Sequence, residues 1–117
     1  MIQMRLDTAL LLVDVQHDFL PGGALAVPQG DEILPVIAKL QPMFNFIVAT
    51  QDWHPAHHGS FAANHPGTQP GQQIDLEGLS QILWPVHCVQ GSSGADFPTT
   101  LDQTKWQSVF QKGKNPL

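Results

Sequence analysis

The 117-residue chain carries a formal net charge of −5, with 42% hydrophobic and 13% charged residues. That balance is globular, fits one domain spanning residues 1–117, and argues against nucleic acid or an anionic membrane surface as partner, there being no Lys/Arg cluster. No apolar run approaches membrane-spanning length, Asp7 leaves no room for a leader, and the single cysteine, Cys88, cannot form an internal disulfide, so a reduced, cytoplasmic setting is expected.

Ala9 to Val13 is a continuous apolar run and reads as a strand buried on both faces, ending on Asp14. Pro21-Gly22-Gly23 then breaks the chain. Ile33, Val36, Ile37 and Leu40 fall at helical spacing, with Asp31 as N-cap and Pro42 closing the run. A second strand is expected over Phe44–Thr50, which makes a βαβ unit and hence a parallel sheet. From Pro55 to about Pro98 no periodicity holds, yet this loop carries four of the six histidines, His57, His58, His65 and His87. Loops of that length are uncommon unless functional or ordered by something else. Trp106–Gln111 reads as a third, more amphipathic strand that delivers Lys112 and Gly113.

Chemistry collects at the strand ends. Asp52 and His54 stand two apart on extended chain, so both side chains project to one side and can converge on a metal ion. Asp14, Asp52 and Lys112 each close a strand, at the sheet edge where open parallel sheets bind ligands. Singly, Asp14 reads as a turn former, Asp52 as a loop cap and Lys112 as a solvated charge; three at successive strand ends point to a site. A Lys ammonium beside Asp14 would favour the carboxylate a general base needs.

The segment Asp14-Val15-Gln16-His17-Asp18-Phe19, with the Pro-Gly-Gly-Ala-Leu-Ala-Val that follows Leu20, resembles the opening motif of bacterial nicotinamidases (pyrazinamidases), a family of isochorismatase-like cysteine hydrolases. The resemblance continues through Ala49–Pro55, His58–Phe61, Trp84–Val89 and Val109–Gly113, and so spans nearly the whole chain. It implies a three-layer, Rossmann-like parallel α/β sheet, and hydrolysis of nicotinamide to nicotinate and ammonia in NAD salvage. Asp14 then matches the general base and Lys112 the triad lysine. Asp52, His54 and His87 match ligands of one divalent metal, Zn²⁺, Fe²⁺ or Mn²⁺. His58 matches a residue that is a ligand in only some relatives. Phe19 and Trp84 match aromatics that sandwich the pyridine ring, with core packing as their alternative. His17, His57 and His65 match no role.

The resemblance also implies a nucleophilic cysteine beyond Lys112, which these 117 residues lack; Cys88 follows a metal ligand and matches no nucleophile. The expectation is therefore an N-terminal portion of such an amidase, with a fold that is incomplete here. The missing half or a partner chain would pair along Ala9–Val13, and a homo-oligomer is open. A related amide hydrolase of the superfamily and a non-catalytic metal-binding fragment are the alternatives.

Overall fold

A computed structural model describes residues 7–117. In chain order the elements are β1 (Ala9–Val13), α1 (Ile33–Leu40), β2 (Phe46–Asp52), β3 (Gln73–Leu76), β4 (Leu79–Ile82) and β5 (Trp106–Lys112). Strands β1, β2 and β5 form a parallel sheet in that spatial order, so the expected α/β sheet is present. The register runs Ala9 opposite Phe46 to Val13 opposite Thr50, and on the other side brings Lys112 opposite Asp52. The second strand starts and ends two residues later than the sequence suggests, so Asp52 is its last residue and not a loop residue beyond it.

Leu10, Leu12, Ile47 and Ala49 point to one face of the sheet and pack with Ile37 of α1, Phe97 and Leu101 into the main core. Burial of each large aliphatic side chain there stabilises the fold by about 1.5–3 kcal/mol. The opposite face is different. Leu11 is 55% exposed, Val13 57% and Phe110 57%, and among the described residues nothing covers them. Strand β1 is thus buried on one face and not on both, because among the described residues α1 packs against one face of this sheet only.

Helix α1 has the expected extent, with Ile37 inside, but Ile33 and Val36 of its apolar stripe are exposed. Asp31 does not cap it. The chain enters through a 3₁₀ turn, Gly30–Glu32, and the residue preceding the helix is Glu32, with no side-chain cap bond. Pro35 is tolerated because amides of the first turn have no intrahelical acceptor.

The segment expected to be structureless holds an antiparallel hairpin, β3–β4. Its two-residue turn is Glu77-Gly78, at φ 52° and 83°, the left-handed pair that matches strand twist in a tight hairpin. Single β-bridges, His54 to Val89 and Phe61 to Trp84, tie the rest of the segment back onto the sheet end.

Candidate metal centre

Three ligand-bearing side chains meet at the C-terminal edge of the sheet. One atom each from Asp52, His54 and His87 lies within 4.8 Å of the others. Asp52 is the last residue of β2, His54 follows on extended chain, and His87 arrives from the long segment. Both histidines are buried. His54 Nδ1 lies 2.8 Å from the Gly113 carbonyl and His87 Nδ1 2.7 Å from the Pro85 carbonyl. A carbonyl only accepts, so each Nδ1 carries a proton, which leaves each Nε2 as the ring nitrogen available to an ion. Fixing the ring by such a second bond is how proteins orient metal-binding imidazoles. The donor set, two imidazoles and one carboxylate, fits a divalent ion such as Zn²⁺, Fe²⁺ or Mn²⁺.

His58 is placed otherwise. Its Nδ1 accepts the Ser60 N–H (3.1 Å) and lies 2.8 Å from the Ser60 hydroxyl. Its ring centroid is 4.5 Å from that of His54, but it does not join the three-residue cluster. Burial, followed by the nearby His54 and His87, lowers its pKa. His65 bonds the Gly59 carbonyl at 2.7 Å and stays outside the cluster.

Lys112 links the metal cluster to Asp14. Its Nζ donates to Asp52 Oδ1 at 2.5 Å and to Asp14 Oδ2 at 2.9 Å, while Asp14 Oδ1 accepts the Thr50 hydroxyl at 2.8 Å. Burial pushes the Asp52 carboxyl up, but His54 and Lys112 outweigh it and bring it down to about 2. Burial pulls the Lys112 ammonium down, and its bonds to Asp52 and Asp14 reverse this and raise it. His54 is raised, first by its hydrogen bond with Asp52. A cleft of about 500 Å³ opens over these groups; Phe19 and Trp84 line it together with Asp14, Asp52, His54 and His87. Trp84 is 41% exposed, which removes core packing as its role.

Three supporting residues escaped the sequence reading. Gln16 is fully buried. Its amide donates to the Asp52 carbonyl (2.8 Å) and the Ala95 carbonyl (2.9 Å) and accepts the Asp52 N–H (2.9 Å). Asp18 Oδ2 accepts the Cys88 N–H at 2.7 Å. Gly113, at φ +70°, lies so close to the His54 ring that a Cβ would overlap it. Asp14, Gln16 and Asp18 are two apart in sequence, and that spacing was the available signal. Cys88 is buried; burial, then Asp18, Asp52 and Asp14, push its thiol up to about 12, which disfavours the thiolate that a nucleophile needs.

No family model matches the chain. Over 113 residues it is 51% identical to the nicotinamidase of Escherichia coli K12, an alignment covering 93% of this chain and 53% of that protein. Over nearly its whole length the chain is similar to part of a nicotinamidase. It spans about half the length of the curated relatives it matches. A solved Acinetobacter baumanii nicotinamidase superposes with a TM-score of 0.90 at 47% identity, over 97% of this chain and 55% of that one. A pyrazinamidase of Pyrococcus horikoshii, solved in complex with zinc, superposes with a TM-score of 0.66 at 39% identity, over 92% and 52%. The α/β fold expected from the motifs is therefore the fold observed. Among the described residues no helix is long and apolar enough to cross a membrane.

Proposed function

We propose that this chain forms the metal- and ring-binding part of an amidase that hydrolyses nicotinamide to nicotinate and ammonia. The observation that carries the reading is the Lys112 ammonium, seated between Asp14 and Asp52 and so joining a base to a metal-ligand cluster. Homologues named for this activity, and a zinc-bound pyrazinamidase of like fold, support it. Asp52, His54 and His87 would hold one divalent ion, whose Lewis acidity would fix the ring nitrogen. Phe19 and Trp84 are assigned to the two faces of the pyridine ring. Asp14 would take the proton of an attacking thiol, and Lys112 would offset negative charge as it develops.

That thiol is not Cys88. The nucleophile is assigned to polypeptide outside these residues, and the same polypeptide, or a second chain, would cover β1 and the bare sheet face. In the complete protein, thiolate attack on the carboxamide carbon would release ammonia, and water would then hydrolyse the thioester to the acid and restore the thiol. Ammonia release from nicotinamide by the full-length polypeptide is the test. Lys112→Ala is expected to lower the rate roughly 10²–10⁴-fold, the range for removing an acid–base group. Elemental analysis should give about one metal per chain, lost in Asp52→Ala. Undiminished turnover in Lys112→Ala, or metal retained in Asp52→Ala, would overturn the assignment.

A further inference from the structure

We propose that Asp18 is a positioning residue for this metal centre: its carboxylate holds the His87–Cys88 peptide in a left-handed bend, and so keeps the His87 imidazole facing Asp52 and His54.

Cys88 sits at φ +49°, a conformation that residues with a Cβ rarely adopt. Something must hold it there, and its two backbone groups show what does. The Cys88 N–H, part of the peptide joining it to His87, donates to Asp18 Oδ2 at 2.7 Å across 70 residues of sequence. The Cys88 carbonyl accepts the His54 N–H at 2.9 Å. Cys88 is therefore suspended between Asp18 on one side and a second metal-ligand histidine on the other. Release of the Asp18 end would let the peptide rotate toward ordinary backbone angles, and the Cα that carries the His87 ring would turn with it.

Asp18 is built for this task. It stands in a 3₁₀ turn, His17–Phe19, that packs against the turn Ser93–Ala95. Its other oxygen accepts the Ala24 N–H at 3.2 Å, and its carbonyl accepts the Leu25 N–H at 2.9 Å. Gly94 approaches so closely that any Cβ there would overlap the carboxylate. Two N–H donors converge on two carboxylate oxygens, a demand that neither an amide nor an alcohol meets. Asp18 lies outside the Asp52, His54 and His87 cluster, so it acts through His87 and not as a ligand.

This inference rests on the metal-binding reading, and the experiment separates the two. Zn²⁺ affinity of the full-length polypeptide is measured by competition with a chromophoric chelator, and Co²⁺ is added to read ligand geometry from its visible absorption. Asp18→Ala is expected to bind Zn²⁺ roughly 10–100-fold more weakly, with an altered Co²⁺ spectrum, the range for losing a supporting partner of a metal ligand. Adding Cys88→Gly should recover much of the lost affinity, because glycine adopts the left-handed bend without strain. Should Asp18→Ala fail to fold, Asp18→Asn carries the test: one oxygen then faces two donors, a smaller loss is expected, and Cys88→Gly should again recover it. A parent protein that binds no Zn²⁺ would sink the metal reading and this inference with it. A parent that binds, with a folded Asp18 variant equal to it or one not rescued by Cys88→Gly, would overturn the role of Asp18 alone.

Discussion

Gln16→Met tests how the metal-ligand strand is held. Methionine fills nearly the same volume and removes every hydrogen bond of the amide, so the change isolates polarity from packing. The fully buried Gln16 amide serves three backbone groups. The Ala95 carbonyl keeps a second donor, Gln51 Nε2 at 2.9 Å, and is not orphaned. The Asp52 N–H and carbonyl lose the Gln16 partner outright. An orphaned buried group costs about 1–3 kcal/mol, and Asp52 is only part-buried, so the total is about 2–4 kcal/mol. That is a large share of a typical folding free energy of about 5–15 kcal/mol. Gln51→Met is the control. It removes one bond from a carbonyl that Gln16 still serves and one from the Gln111 amide, which is exposed and can turn to water, and should cost about 1 kcal/mol. Urea unfolding of both variants in the full-length polypeptide gives the comparison. Equal losses in the two, or a Gln16→Met loss under about 1 kcal/mol, would refute the reasoning.

Gly113→Ala places a Cβ against the His54 ring at φ +70°; it should cost about 1–2 kcal/mol in backbone strain and weaken Zn²⁺ binding roughly 10–100-fold, and unchanged chelator competition would count against it. Cys88, its thiol pushed up to about 12, should resist iodoacetamide at pH 8 in the folded protein and react on unfolding, as read by peptide mapping. The sign of its linkage follows: this contribution to stability is complete below the unfolded value of 9.0 and is lost as pH rises through about 12, so a gain in stability over that window would contradict it. Residues 1–117 expressed alone expose Leu11, Val13 and Phe110, with no strand beyond β1 among the described residues, and should self-associate or bind a hydrophobic dye. A monodisperse monomer in sedimentation, with a cooperative unfolding transition, would refute that expectation.

Local signals were enough for the elements whose pattern is set by their own burial. The position of β1, the extent of α1 from its i, i+3, i+4, i+7 spacing and the strand ends near Asp14 and Lys112 were all legible from local pattern, although the burial of β1 on both faces was not borne out. Asp-x-His was legible for the same reason, since extended backbone puts alternate side chains together. What resisted was whatever depends on a partner distant in sequence. The hairpin β3–β4 was missed because Glu77-Gly78 is a weak form of its turn signal and the flanking strands are half-exposed. Asp31 looked like a cap until the chain took a 3₁₀ turn into the helix. The buried amide of Gln16 reads as an ordinary polar residue, and only the fold shows that it pairs with a peptide 36 residues away. The same holds for Asp18 and the Cys88 N–H, and for Gly113 and the His54 ring. Sequence order specifies which groups are available, but which of them share a hydrogen bond is decided where β1, β2 and β5 are brought side by side.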